Sequence, residues 1–345
     1  MLRDRFSWRS DPRARSRRLG SSRRSHRLTI RRIAAGAILA AAAPIGLPAA
    51  PAVAQGTEPD CVNPINPDTT DQRRFCRVRQ VAVTAQAGDK LHVQSRLVLD
   101  DMEQRLLLEH VLRCDLETGH TIRTTQNSYA GQDRAMLHAR YIWTAPADGG
   151  YVCELLTRVA YPAAVTGPAD VHVRSGESTL TVQPAPDWAA HKFQDSERII
   201  GPRQWDLLAM YWTAPNGLAT FDVTGDVELT NCYGPYQGSN RTDGVACTTS
   251  PSNGNSSTVE TRVQALQIAT DGSYCRTTSS PMDRITISWA VHHKKNYGRL
   301  TGIPVSTAAG CTRRFRLKVF ARHVAGNPSL VEVRPYSNLY VHGGN

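Results

Sequence analysis

Hydrophobic and polar side chains alternate through most of the chain beyond residue 90. The pattern is clearest at Leu91, Val93, Leu97 and Leu99, which are separated by polar residues such as Gln94. A period of two residues is typical of a β-strand with one face in a hydrophobic core. We therefore expect an all-β protein built from many short strands.

The alternation stops at residues 100–103 and resumes over 106–116. This interruption predicts a hairpin whose two strands flank the turn. Asp101 and Gln104 offer a capping box, so a helix over residues 101–112 is the alternative. The unbroken period of two on either side of the turn favours the hairpin.

Further strands are predicted from the same pattern in the first half. Residues 137–143 and 151–159 alternate in the same way. The hydrophobic positions in 171–173 and 180–182 flank the polar turn 175–178. We interpret this last arrangement as a second hairpin.

The alternation is lost over residues 185–204. Pro186 and Pro202 lie within this stretch, and Pro184 directly precedes it. We place a domain boundary there. The prediction is a β-sandwich over 55–184, a linker over 185–204 and a second antiparallel β-sandwich over 205–345. The strands expected in the second sandwich are Asp206–Trp212, Ala219–Val223, Val227–Tyr233, Val259–Ile268, Ile285–Val291, Phe315–Val324 and Leu330–Val333.

A short segment recurs along the chain. Residues 143–153 and 268–275 both contain an Asp-Gly pair before a tyrosine and a cysteine, and 212–217 repeats the first part with Asn-Gly. Asn, Asp and Gly tolerate the backbone conformation that tight turns need. An internal duplication and the ordinary recurrence of turn residues both remain open.

The first 54 residues have the composition of a secretory signal peptide. An arginine-rich segment precedes the uncharged run 33–47, and Ala52-Val53-Ala54 offers a cleavage site near Ala54. The run is shorter than the roughly 20 residues that span a membrane, although an uncleaved anchor is the alternative. Export could use the general route or a twin-arginine signal at Arg23-Arg24 or Arg31-Arg32, and translation could start downstream of Met1.

The net charge changes meaning once this segment is set apart. The whole chain carries a formal charge of +11, but residues 1–54 hold 12 arginines and two aspartates. A net charge of only +1 remains on residues 55–345. Nucleic-acid binding needs a broad basic field, so we expect no nucleic-acid partner. Because the long uncharged run lies within residues 33–47, we also expect no membrane span in the mature chain.

All eight cysteines follow residue 54, and no two of them form a C-x-x-C pair. An even number in an exported chain predicts a disulfide framework and gives no support to a zinc site. The expected bridges are Cys61–Cys76, Cys114–Cys153, Cys232–Cys247 and Cys275–Cys311. For the last four cysteines, a Cys232–Cys275 bridge is the alternative.

Residues 148–153, with the sequence DGGYVC, resemble the strand-F signature of immunoglobulin-like domains. The resemblance implies that Tyr151 is the tyrosine-corner residue, and that Cys114 and Cys153 bridge two sheets. No tryptophan follows Cys114 at the position usual in that family. The resemblance is therefore to the broad architecture of Ig-like sandwiches.

The chain contains none of the sequence motifs that mark common hydrolases, nucleotide-binding loops or calcium-binding loops. We predict no catalytic residues, no metal and no cofactor. The adjacent His292 and His293 would point to opposite faces of a strand, so we interpret them as an exposed strand end.

A candidate binding patch lies near the C-terminus. Arg314, Arg316 and Lys318 share one face of a predicted strand, and we add Lys294 and Lys295 to them. Such a patch suits an acidic polymer, although an ordinary solvated strand face is the alternative. Five aromatic residues could form a second binding surface or fill the seam between the domains, which we prefer: Trp188, Trp205, Trp212, Tyr233 and Tyr236.

The sequence thus predicts a secreted, disulfide-bonded protein that binds a cell-wall polymer, another extracellular polymer or a protein without catalysis. Two alternatives belong to other classes. One is an extracellular hydrolase on a β scaffold, which would need a histidine beside a hydroxyl group and a carboxylate. The other resembles a protease inhibitor, with an exposed loop braced by Cys232–Cys247.

Overall fold

A computed structural model describes residues 58–65, 74–114, 121–160, 170–195, 198–200, 204–231, 256–288, 291–327, 329–331 and 335–343. Within these ranges the chain forms strands β1–β19 and no α-helix. The prediction of an all-β protein is confirmed. Residues 50–345 form one compact unit.

The first eight strands build two antiparallel sheets. Sheet I has the order β1-β6-β3-β4, and sheet II places β2 between β5 on one side and β7 and β8 on the other. The strands are β1 (Cys76–Ala85), β2 (Lys90–Met102), β3 (Leu107–Arg113), β4 (Thr121–Asn127), β5 (Gln132–Thr144), β6 (Gly149–Ala160), β7 (His172–Val173) and β8 (Thr179–Pro184).

The remaining strands build two further sheets. In sheet III, β12 pairs with β18 and β19 along one edge and with β16 along the other, while β10 pairs with β18 and β9 pairs with β19. In sheet IV, β17 pairs with β11 and β13, and β13 also pairs with β14 and β15. The strands are β9 (Ala190–Phe193), β10 (Arg198–Ile200), β11 (Gln204–Thr213), β12 (Thr220–Asn231), β13 (Ser256–Ala269), β14 (Tyr274–Ser279), β15 (Asp283–Ser288), β16 (His293–Pro304), β17 (Cys311–Gly326), β18 (Ser329–Val331) and β19 (Asn338–His342).

Sheets I and II face each other across hydrophobic side chains that form two clusters. Leu97 and Leu99 of β2 pack in the same cluster as Leu108 of β3 and Leu155 of β6. These side chains occupy alternate positions of their strands, which explains why the sequence shows a period of two. The first half of the molecule is therefore a two-layer sandwich.

Sheets III and IV form the second sandwich, and a pair of glycines lets them approach closely. Gly225 of β12 lies opposite Gly298 of β16. A Cβ atom at Gly225 would overlap Val319 of sheet IV, and one at Gly298 would overlap Val263. The absence of side chains at these two positions leaves room for Val319 and Val263. Strand β12 continues through Gly225 as one strand, where we predicted two.

The two sandwiches pack through a polar layer, which we call the seam. Here the outer faces of sheets II and III meet, as the ion pair of Arg140 with Asp226 and the hydrogen bond of His92 with Tyr340 show. Strand β4 at the edge of sheet I also contacts β16. The seam therefore also includes β4 at the edge of sheet I.

Both predicted hairpins of the first half are wrong. Strand β2 pairs with β5, β7 and β8, whereas β3 pairs with β4 and β6, so these two consecutive strands lie in different sheets. Strands β7 and β8 both pair with β2, so the turn 175–178 connects two strands that follow one another along the same edge of β2. The alternation reports which face is buried, and it does not report which strand is the neighbour. The alternative helix over 101–112 is also wrong.

Most strands predicted in the second half coincide with observed ones, namely β11, β13, β15, β17 and β18. The stretch 185–204, where we predict the linker, contains β9 and β10, and β9 pairs with β19 in sheet III. Of the three Asp/Asn-Gly turns, only the one at Asp271-Gly272 joins two paired strands, β13 and β14. The other two carry the chain from one sheet to the next.

Three of the expected disulfides are confirmed: Cys61–Cys76, Cys114–Cys153 and Cys275–Cys311. The predicted Cys232–Cys247 bridge lies outside the described residues. Cys114 and Cys153 lie beside the paired residues Arg113 and Glu154, so their bridge joins neighbouring strands of sheet I. It does not link two sheets, as the resemblance to Ig-like domains implies.

Tyr151 makes the contact that the same resemblance implies for a corner residue. Its hydroxyl donates to the carbonyl oxygen of Ala147 at 2.5 Å. Its ring also packs edge-on against Trp143, with ring centroids 4.8 Å apart. This contact fixes the turn that carries the chain from β5 to β6.

Candidate binding surfaces

The outer face of sheet IV carries the basic residues predicted to form a binding patch. Arg314, Arg316 and Lys318 point away from the core, whereas Phe315 and Leu317 between them are buried. The register places further charged residues on the same face. We call this surface the sheet IV face, and its charged members are Arg262, Arg284, Arg314, Arg316, Lys318, Arg322, Asp206 and Glu260.

Each of the two carboxylates on the sheet IV face contacts two cations. Asp206 accepts hydrogen bonds from Arg316 at 2.6 Å and from Lys318 at 2.8 Å. Glu260 pairs with Arg284 at 2.5 Å and with Arg322 at 2.7 Å. The basic side chains therefore outnumber the acidic ones, and the face keeps an excess of positive charge.

Two groups on the sheet IV face, Glu260 and Arg316, have shifted pKa values. Hydrogen bonds from Arg284 and Arg322 lower the pKa of Glu260. The hydrogen bond with Tyr274 raises the pKa of Arg316; burial opposes this effect, and the charge of Asp206 adds to it. Both shifts favour the charged forms of Glu260 and Arg316 at neutral pH.

Aromatic rings accompany the cations. The guanidinium of Arg314 lies 4.7 Å from the ring centroid of Tyr211, which is 62% exposed. Arg262 covers the ring of Phe320 at 4.8 Å. Exposed tyrosines beside arginines offer both stacking and charge to a ligand.

Lys294 and Lys295 do not belong to this surface, because both lie on β16 of sheet III. Lys295 is buried in the seam, where its ammonium donates to the carbonyl oxygen of Arg123 at 2.9 Å and to Thr124 Oγ1 at 3.0 Å. Lys294 is half-buried on the opposite face of the strand. The prediction that Lys295 is an exposed patch residue is therefore wrong, because the packing of the two sandwiches buries it.

The seam holds charged groups that are paired and buried. Arg140 donates two hydrogen bonds to Asp226, at 2.8 and 2.9 Å, and the Asp226 carboxylate is fully buried. Burial opposes the charge of Arg140, but the carboxylate more than offsets it and raises the pKa of Arg140. For Lys295, burial lowers the pKa, while Glu228 and Asp226 act in the other direction.

Histidines line the seam as neutral groups. Burial lowers the pKa of His92 to about 3, and His342 and Arg140 add to this effect. Burial also lowers the pKa of His293 to about 3. His292 and His293 are half-buried, and their backbone N–H groups donate to Asn127 Oδ1, so they do not form the exposed strand end that we expected.

One histidine meets part of the condition set for a hydrolase. His110 Nε2 lies 2.8 Å from Ser95 Oγ, and both residues are buried between sheets I and II. Among the described residues, Nδ1 of His110 has no hydrogen-bond partner. No carboxylate therefore orients the imidazole within the described part of the chain, as a catalytic triad requires.

One group of side chains could hold a metal ion. Asp100, Asp101 and His172 place one ligand atom each within 4.8 Å of one another. The guanidinium of Arg174 already contacts the Asp100 carboxylate. This fixed positive charge opposes the binding of a second cation at the same carboxylate.

The aromatic residues considered for a second surface are distributed differently. Trp212 lies in the core of the second sandwich, with Phe221 and Phe315, and not in the seam. Its indole N–H donates to the carbonyl oxygen of Trp188 at 2.9 Å. Tyr233 and Tyr236 and the side chain of Trp205 lie outside the described residues.

Comparisons with known proteins do not place the chain in a family. No protein family matches the sequence, and no curated protein matches it. A chain of the T13 IBDV viral particle aligns over 83% of this chain and 72% of its own length, with 11% identity and a TM-score of 0.29. A protein from Parabacteroides distasonis, described as secreted, covers 80% of this chain and 85% of its own length at 8% identity and a TM-score of 0.18. Similarities at these TM-scores carry no conclusion about fold or function.

Two general features bear on where the protein works. Three disulfides within the described residues are typical of an oxidising, extracellular compartment. In the part of the chain that the structure describes, we find no helical segment with the length and apolar character needed to cross a bilayer.

Proposed function

We propose that the chain is an exported, non-catalytic binding protein and that the sheet IV face binds an anionic extracellular polymer. In this proposal residues 1–54 are a signal peptide that is removed near Ala54. The two sandwiches are a tandem of Ig-like type. The single observation that supports the binding role is the cluster of cations and exposed tyrosine on an open sheet face.

The geometry suits a polymer better than a small molecule. The sheet IV face follows β17, where Arg314, Arg316, Lys318 and Arg322 lie along one side of the strand. A flexible polyanion can contact successive cations along such a strand. An acidic polysaccharide or a teichoic-type cell-wall polymer has this charge distribution.

The alternative functions have less support. For a hydrolase, the Ser95–His110 pair is suitable in distance, but among the described residues no carboxylate orients the histidine. For a protease-inhibitor-like role, the loop that would be braced by Cys232–Cys247 lies outside the described residues. Binding without catalysis is therefore the function that we put to the test.

The experiment measures retention of the full chain, with its disulfides intact, on immobilised dextran sulfate and on neutral dextran. We expect retention on dextran sulfate alone, because only this polymer carries charge. High salt should release the protein, since the Debye length falls to about 3 Å at 1 M salt. The double variant Arg314→Ala/Arg316→Ala should bind severalfold more weakly.

A matched control is Arg134→Ala. Arg134 is an exposed arginine on β5 of sheet II that pairs with Glu177. Arg134→Ala removes one positive charge away from the proposed surface, so it is matched in charge to the single variant Arg314→Ala, whereas the double variant removes two. The Arg134→Ala variant should retain most of the binding. Equal retention on both polymers, or undiminished binding by the double variant, would contradict the proposal.

A further inference from the structure

A cavity of about 570 Å³ opens along the seam, between the outer face of sheet II and β16 of sheet III. Its volume lies within the range of small-ligand pockets. Strands β2, β5, β8 and β16 supply its walls. The side chains that matter here are Gln94, Arg96, His138, Thr179, Thr181 and Tyr297.

The charge of this cavity is positive. Arg96 and Arg140 are both part of its lining, and no carboxylate side chain from the part of the chain that the structure describes lines it. Asp226 neutralises Arg140 through two hydrogen bonds. Among the described residues Arg96 forms no ion pair with a carboxylate, and its guanidinium donates to a backbone carbonyl oxygen instead. Its positive charge therefore dominates the cavity.

Arg96 also has an unused hydrogen-bond donor. One terminal nitrogen of its guanidinium donates to the carbonyl oxygen of Glu177 at 2.9 Å. Its Nε is buried and has no hydrogen-bond partner among the described residues. A buried donor without an acceptor is costly, and an anion in the cavity could supply the acceptor.

Neutral polar groups surround this cation. Thr179 and Thr181 of the edge strand β8 pair with Arg96 and Gln94 of β2, and these four side chains share one face. The hydroxyl of Tyr297 is already bound to the backbone of His138. The tyrosine therefore contributes its ring as a wall, while the threonines and the glutamine offer donors and acceptors.

His138 reports on the electrostatic potential of the same space. Burial lowers its pKa, the charges of Arg140 and Arg96 lower it further, and Asp226 acts in the opposite direction. The imidazole is therefore neutral at neutral pH, so one of its ring nitrogens can donate a hydrogen bond and the other can accept one.

We propose that this cavity binds a small anionic sugar, with its carboxylate or phosphate on Arg96 and its hydroxyls on Gln94, Thr179 and Thr181. The site is separate from the sheet IV face and does not depend on the function proposed there. The combination of one unneutralised guanidinium with several neutral polar groups is what distinguishes it from a site for inorganic ions.

Calorimetric titration of the full chain with glucuronate, glucose 6-phosphate and glucose tests the proposal. We expect at least one of the two anions to bind and glucose to bind about tenfold more weakly or not at all, because it lacks the charge. The stronger of the two anions identifies the acidic group. Arg96→Ala should weaken binding of that anion by about tenfold or more.

Arg276→Ala, which removes an exposed arginine on β14, is the matched control and should bind like the natural protein. If Arg96→Ala fails to fold, NMR titration of His138 in the natural protein gives an independent measurement. The bound anion should raise the pKa of His138 because it offsets the nearby positive charges. Equal affinity for glucose and both anions, no binding of either anion, or an unchanged pKa of His138 at saturation would overturn the proposal.

Discussion

The seam and the sheet IV face contain the same kind of ion pair in two different settings. In the seam, Arg140 pairs with an Asp226 carboxylate that has no exposure to solvent. On the sheet IV face, Arg316 and Asp206 are 29% and 30% exposed. Water and salt screen the second pair far more than the first. A charged sheet face can therefore be covered by a second sandwich or remain open to solvent, and the strength of its ion pairs differs accordingly.

The largest effect should come from breaking the buried pair. Asp226→Asn leaves the guanidinium of Arg140 without its counter-charge in the seam. We expect a loss of about 3–5 kcal/mol in the free energy of unfolding, measured with urea. Replacing both residues by apolar ones, in Arg140→Met/Asp226→Leu, should recover most of it. A loss no greater than that of Asp206→Asn would show that the two settings are equivalent.

Acid should weaken the seam through its histidines. The pKa of His92 is about 3 in the folded protein and about 6.5 when the chain is unfolded. Between these values the unfolded chain binds more protons, so stability is full above about pH 6.5 and falls as the pH decreases. Urea unfolding should show a loss of roughly 2 kcal/mol from this residue between pH 7.5 and 5.

The variant His92→Gln removes the titrating group and should make this pH dependence shallower. Asp206→Asn is the matched control, because it changes the sheet IV face and leaves the seam histidines in place. Its pH dependence should follow that of the natural protein over the same range. An unchanged slope in His92→Gln would remove His92 as the cause.

The exposed pair should matter little for stability and more for binding. Asp206→Asn should change the free energy of unfolding by about 1 kcal/mol or less. It also releases Arg316 and Lys318 from their shared carboxylate, so retention on dextran sulfate should increase. Weaker retention would indicate that Asp206 organises the binding surface by holding its cations in place.

The smallest effect on stability is expected for Arg314→Ala. Its guanidinium stacks on the exposed ring of Tyr211, and such contacts contribute about 0.5–1 kcal/mol at exposed sites. Thermal and urea unfolding should therefore change only slightly. A loss comparable to that of Asp226→Asn would place Arg314 in a structural role.

The sequence predicts the buried faces well, since these depend on local alternation alone. His138 and Arg140 alternate with buried Leu137 and Ala139 in the same way that Arg314 and Arg316 alternate with Phe315 and Leu317. Nothing in the two patterns shows that one polar face is covered by another sandwich.

The candidate site is predictable to a similar extent. The shared face of Arg314, Arg316 and Lys318 follows from their spacing, and the structure confirms it. The contribution of β13 was missed, although Glu260, Arg262 and Gln264 follow one another at the same spacing and could have indicated it. Lys295 was misplaced because its burial depends on the packing of the two sandwiches.

The positions of the disulfides have a consequence for the connection between the two halves. Two of the described bridges lie in the first sandwich and one in the second, so none of them crosses the seam. Among the described residues, the main chain between β8 and β9 is the covalent link between the halves. A protease that cut this segment would leave two fragments associated through the seam alone, and acid would then release them from one another.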